Sequence, residues 1–311
     1  MRVTLPAICA AVLFLLASPE AAAATASSAS VRRRYHSIFS FGDSFADTGN
    51  NPAVFAWYSV FDPVMRPPYG STFFGRPTGR NSDGRLILDF IAERLELPYV
   101  PPYLGPPFAS PSPAEDGRFR HGASFAVGAA TALDVEFFRA RDIPGAPSKF
   151  PLNISLGVQL GWFESMMKPS LCRTIQECKE FFRGSLFFVG EFGVNDYHFS
   201  FQRKSVREVR SYVPRVVREI TMAIEVVDQA RRDEFGGSRR DPVGMLAAGL
   251  RQDVLTVCCG GPGRNNYNGS VFCGDPDATT CSHPSASLYW DGVHFTEAAN
   301  RYIAAGWLSS I

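Results

Sequence analysis

The chain has 311 residues, 45% of them hydrophobic and 20% charged, a balance that excludes wholesale disorder. Its 31 basic and 30 acidic residues leave a net charge of +1, so there is no electrostatic reason to expect a nucleic-acid partner. With 27 glycines, 23 prolines and 26 phenylalanines, the composition points to many turns around a large apolar core rather than to a helical bundle.

Residues 1–26 read as an export signal. Arg2 supplies a positive start, Leu5 to Ala17 form a short apolar run, and Ala24-Thr25-Ala26 is a small-residue cleavage site. Ala22-Ala23-Ala24 would serve equally well. A membrane anchor is the competing reading, but the run is shorter than the roughly 20 residues that span a bilayer. No integral membrane span is therefore expected, and secretion to the extracellular space or cell wall is. Residues 27–36, with Arg32-Arg33-Arg34, read as a polar, solvated and disordered leader, leaving 37–311 as a single domain.

Secretion bears on the cysteines. Cys9 departs with the signal, and the remaining Cys172, Cys178, Cys258, Cys259, Cys273 and Cys281 are even in number, as disulfides require. Only Cys172 and Cys178 are close enough in sequence to be paired by inspection. Zinc is disfavoured because Cys258 and Cys259 are adjacent and no histidine pair stands at ligand spacing, so no metal is expected. Asn153-Ile154-Ser155 and Asn268-Gly269-Ser270 are glycosylation sequons.

Along the domain, Ser37 to Phe41 reads as a buried strand ended by Gly42-Asp43-Ser44. Asn50 to Arg80, dense in proline, glycine and aromatics, reads as a structured loop without helix. Leu86 to Leu97 has helical spacing, with Ser82 or Asp83 as the expected cap and Pro98 as its stop. Gly122 to Ala130 reads as a strand running into a small-residue turn, and Ile154 to Met167 as a helix. Ser185 to Gly190 reads as a central strand of a parallel sheet. Ser205 to Ala230 is a long amphipathic helix bent or begun afresh at Pro214, Val254 to Val257 a possible short strand, and Thr296 to Leu308 a last helix capped by Thr296. Strands alternating with helices define an α/β domain.

Three sites in this pattern carry chemistry. Ser44 follows a strand, at the carboxyl edge where open sheets bind ligands. Asp291-Gly292-Val293-His294 places a carboxylate three residues from an imidazole, the base and orienter a weak serine nucleophile needs. Asn195, in Gly193-Val194-Asn195-Asp196 after the apolar strand, offers an amide donor to a developing oxyanion, and Gly128 offers a backbone N–H. Taken singly, each also has a bland reading as a turn, a cap or an Asx motif.

Together, Phe41 to Asn50, Pro68 to Phe74, Pro77 to Arg85, Ser124 to Leu133, Gly190 to Tyr197 and Tyr289 to Ala299 resemble, in order, the sequence blocks of the plant GDSL esterase/lipases, members of the SGNH hydrolases. The resemblance implies a flavodoxin-like three-layer α/β/α sandwich around a parallel sheet, and carboxylic ester hydrolysis without cofactor or metal. It implies Ser44 as nucleophile, His294 as base and Asp291 as its orienter. The oxyanion hole would be formed by the Ser44 N–H, Gly128 and Asn195. Two departures stand out. Ser124 and Ala129 occur where many members have Asn and Gly. Beyond Ala230 the chain runs almost directly toward Cys258-Cys259, which looks like an internal deletion, with one or two strands missing.

The expected substrate is a small-molecule or polysaccharide ester, with an acetyl ester of cell-wall polysaccharide or a small plant metabolite foremost. A lipase on longer-chain esters and a non-catalytic or truncated secreted family member are the alternatives. A monomer is expected.

Overall fold

Residues 35–105, 117–231 and 255–309 are described by the computed structural model. Residues 1–34, 106–116, 232–254 and 310–311, which include the expected export signal and most of the expected leader, lie outside them. β1 (Ser37–Phe41) is buried along its whole length. It pairs in parallel with β2 (Gly122–Ser124) on one side and β3 (Ser185–Val189) on the other, giving the order β2-β1-β3. Successive strands thus lie on opposite sides of β1, and the crevice where the winding reverses opens at its carboxyl end, beside Ser44.

Alternation along β1 divides the layers. Phe39 and Phe41 lie level with Phe187 and Val189 of β3, and all four join one core with Phe125, Phe163, Phe182, Ala223 and Val227. That core comes from α4 (Leu156–Ser170), α5 (Ile175–Arg183) and α8 (Val213–Arg231), which cover this face. On the opposite face Phe188 meets Trp307 of α9 (Glu297–Leu308), and α9 packs along α2 (Ile87–Arg94). Helices on both faces of a parallel sheet make the three-layer α/β/α sandwich.

Several expectations are corrected. The segment from Asn50 to Arg80 contains a helix, α1 (Asn51–Trp57), because its proline stands at the first turn, where a missing N–H costs nothing, and Ala53, Val54 and Phe55 are buried. Neither Ser82 nor Asp83 caps α2. The N–H of Leu86 is taken by Asp89, while Asp83 accepts the N–H of Glu297 at the start of α9. Among the described residues β3 pairs with β1 alone. Of the possible strand Val254 to Val257, Val254 lies outside the described residues and Leu255 to Val257 is not a strand; the extended pair nearby is β4 (Cys259–Gly260) with β5 (Thr279–Thr280). His36, expected in the leader, belongs to the domain, its N–H bonded to the Gly184 carbonyl and its ring against Phe181.

Three helices had no counterpart in the sequence pattern, α3 (Val135–Arg139), α5 and α6 (Val194–Phe201), while the expected break near Pro214 separates α7 (Val206–Arg210) from α8. Thr296 caps α9 as expected, accepting the Ala299 N–H. The six cysteines form Cys172–Cys178, Cys258–Cys281 and Cys259–Cys273. No helix of the described residues is long and apolar enough to cross a membrane.

Candidate active site

Backbone geometry at the end of β1 is set by a side chain from the facing helix. Gln159 of α4, fully buried, accepts the Gly42 N–H at 2.9 Å and donates to the Gly42 carbonyl at 2.8 Å. A β-carbon on Gly42 would lie 2.9 Å from that of Ala46, so the tight turn that follows needs glycine. Ser44 emerges from this turn 7% exposed.

Its hydroxyl meets His294 from the far end of the chain, Oγ to Nε2 at 2.7 Å. The other ring nitrogen, Nδ1, is 2.8 Å from Asp291 Oδ2 and 2.9 Å from Oδ1. Asp291 Oδ1 also accepts the backbone N–H groups of His294 and Val293, and Oδ2 the hydroxyl of Tyr69 at 2.7 Å. Burial alone would raise the Asp291 pKa, but the His294 imidazole and these donors outweigh it and hold the carboxyl at about 2. Asp291 is therefore an anion wherever an ester hydrolase works, and it fixes the His294 proton on Nδ1, leaving Nε2 as an acceptor toward Ser44. Burial pushes the nearby Glu191 carboxyl upward, opposed by His294.

The expected oxyanion donors fare differently. The Gly128 N–H points away from the site, to Asn51 Oδ1 at 2.7 Å and Asp47 Oδ2 at 3.1 Å, and its role as a donor is corrected on that ground. Asn195, in the first turn of α6, lies beside the nucleophile turn. Its amide donates to Asp43 Oδ2 at 3.2 Å and to the Ala130 carbonyl at 3.0 Å. Asp43 is wholly buried, and that burial raises its pKa well above the ordinary carboxylate value against the Phe45 N–H. Among the described residues the backbone N–H groups of Ser44 and Ala129 have no acceptor.

Ala129, at φ +64°, occupies the backbone region that favours glycine. The Gly-to-Ala departure noted in the sequence falls on this strained residue. Gln159 and Tyr69 were missed as well. A glutamine on the apolar side of a helix was a usable signal for the first, and the Pro68 to Phe74 block contained the second. Asp47 organises the loop beneath, accepting the N–H groups of Gly49, Asn50, Asn51 and Gly128, while burial pushes its pKa up to about 7.

An α/β/α sandwich with serine, histidine and aspartate bonded in series at the carboxyl edge of its sheet has the architecture of a serine hydrolase. The model of GDSL-like lipase/acylhydrolases matches residues 38–247, and the chain belongs to this family of carboxylic ester hydrolases. It is 35% identical to a GDSL esterase/lipase of Arabidopsis thaliana over 348 positions, covering 89% of this chain and 91% of the relative. Against the sinapine esterase of Brassica napus it is 34% identical over 354 positions, covering 89% and 86%. Since 89% of 311 residues is about 277, about 70 of the 348 positions are filled only in the Arabidopsis relative. That count accords with an internally shortened chain.

Proposed function

We propose that the protein is a secreted serine esterase that cleaves short acyl esters, acetyl esters foremost, of a cell-wall polysaccharide or a small plant metabolite. The continuous hydrogen-bond series Ser44–His294–Asp291 carries this reading. Ser44 Oγ attacks the ester carbonyl carbon while His294 Nε2 takes its proton. The resulting imidazolium then protonates the departing alcohol, leaving an acyl group on Ser44. Water, deprotonated by the same nitrogen, attacks the acyl carbon and frees Ser44.

The Ser44 N–H and the Asn195 amide hold the oxyanion, together with the Ala129 N–H in the place expected of Gly128. Asn195 reaches the oxyanion by releasing its long bond to Asp43. That exchange is favoured because the buried Asp43 carboxyl tends toward its neutral, weaker-accepting form.

Similarity to a sinapine esterase supports the small-metabolite side of the substrate range. Tyr267 supports a ring-bearing alcohol, since it is half exposed and its ring lies close to Gly292 of the Asp291–His294 loop. Three disulfides support export, as does the leader sequence, and with export the two sequons become acceptors for glycans. The protein acts as a monomer, without nucleic acid or cofactor.

Hydrolysis of p-nitrophenyl acetate by the purified protein and its Ser44→Ala variant tests the reading. Activity lost in the variant is the expected result, and equal near-background rates would sink the proposal. A series from acetyl to long-chain esters then separates esterase from lipase.

A further inference from the structure

Asp291 has two oxygens and a terminal torsion that is broad and nearly two-fold, so its own loop does not by itself fix the plane of the carboxylate. The backbone N–H groups of Val293 and His294 both bond Oδ1. Oδ2, the oxygen nearer His294 Nδ1, has a single further donor among the described residues, and it comes from 222 residues upstream: the Tyr69 hydroxyl at 2.7 Å.

Tyr69 is held partly by the segment it contacts and partly from elsewhere in the chain. Its ring is 3% exposed and stands edge-on to Trp290, with centroids 6.0 Å apart. The chain around it is fastened on both sides. Gly70 and Thr72 donate backbone hydrogen bonds to Ser82 and Asp83, and Arg66 forms a 2.7 Å ion pair with Asp275 next to the Cys259–Cys273 bridge.

We propose that Tyr69 is a positioning residue for ester hydrolysis: its hydroxyl locks the Asp291 carboxylate in the plane that presents Oδ2 to His294 Nδ1. The inference rests on the Ser44–His294–Asp291 reading. The Tyr69 hydroxyl touches no reacting atom. It acts through Asp291, keeping the imidazole in the orientation and tautomer from which Nε2 receives the Ser44 proton.

The experiment is a double-mutant cycle of Tyr69→Phe and Asp291→Asn, read as kcat and KM on p-nitrophenyl acetate above the Ser44→Ala baseline. Phenylalanine keeps the ring against Trp290 and removes only the donor. Tyr69→Phe alone is expected to lower kcat about tenfold, the size of one charge-assisted hydrogen bond, with KM within about twofold. On the Asp291→Asn background the same change is expected to cost less than about twofold, because the group through which Tyr69 acts is already gone.

An equal loss on both backgrounds would mark Tyr69 as structural only and overturn the proposal, as would a Tyr69→Phe enzyme that matches the unmutated protein. If the unmutated protein hydrolyses no faster than Ser44→Ala, the reading of the site falls together with the proposal. A working enzyme indifferent to Tyr69→Phe removes the proposal alone.

Discussion

Replacing Gln159 by methionine tests how the nucleophile turn is held. Methionine keeps the length of the side chain and removes both amide bonds to Gly42. The Gly42 carbonyl retains a second donor, the Val127 N–H at 3.2 Å, so its loss is one ordinary hydrogen bond, about 0.5–1.5 kcal/mol. The Gly42 N–H has no other acceptor among the described residues and is left buried and unsatisfied, which costs about 1–3 kcal/mol. The sum, about 1.5–4.5 kcal/mol, is a large share of the roughly 5–15 kcal/mol that holds a domain folded. It should appear as a lower urea midpoint with unchanged slope. Because Gly42 is two residues from Ser44, kcat on p-nitrophenyl acetate should also fall several-fold under conditions where the variant is still folded. A stability change below about 0.5 kcal/mol would refute the assignment of Gln159 as the clamp. A normal kcat in a destabilised variant would show that the clamp serves the fold and not the nucleophile.

Two further outcomes follow from the buried groups. Burial raises Asp47 from an ordinary 3.8 to about 7 and Asp196 to about 6, so the native protein holds protons that the unfolded chain has released, and stability should fall as pH rises from about 4 to about 7. Asp291, held at about 2, adds stability that is present above about 4 and lost as the pH drops toward 2, which sets the lower limit of the stable range. Urea midpoints at pH 5 and pH 8 check this, and a higher midpoint at pH 8 would contradict it. The N–H groups of Cys258 and Cys259 hold the carbonyls of Tyr289 and Trp290, just before Asp291. Serine replacement of Cys259 and Cys273 should therefore abolish most esterase activity and cost about 3 kcal/mol. The same change at Cys172, just after α4, and Cys178, on α5, a pair away from the Asp291–His294 loop, should leave kcat nearly intact.

Features that depend on neighbours in sequence were legible from the sequence alone. The apolar run of β1, the turn at Gly42-Asp43-Ser44, the three-residue spacing of Asp291 and His294 and the Thr296 cap are all local, and local chemistry determines them. What escaped depends on distant partners. Gly128 has the right residue type, but its N–H is drawn off by Asn51 and Asp47, a direction that only the folded loop decides. Prolines obscured α1, since Pro52 reads as a helix breaker until its first-turn position is known.

An internally shortened chain raises one question at the site: what holds the loop carrying Asp291 and His294. If strands beyond β3 held it, their loss would carry the base away from Ser44. The contacts run elsewhere. Ser82 donates to the Phe295 carbonyl, Asp83 accepts the Glu297 N–H, and Arg85 both donates its backbone N–H to Glu297 and forms a 2.7 Å ion pair with it. Asn300 returns a bond to the Arg85 carbonyl, and α9 lies along α2. Tyr69 and the two paired cysteines secure the other side of the loop. The base is thus anchored to residues 69–85 and to the disulfide segment, while the nucleophile rides on β1, the middle strand of the three described. Neither anchor uses the outer side of β3. A sheet shortened beyond that side would lose burial, and therefore stability, while keeping these contacts, which set the distance between Ser44 and His294.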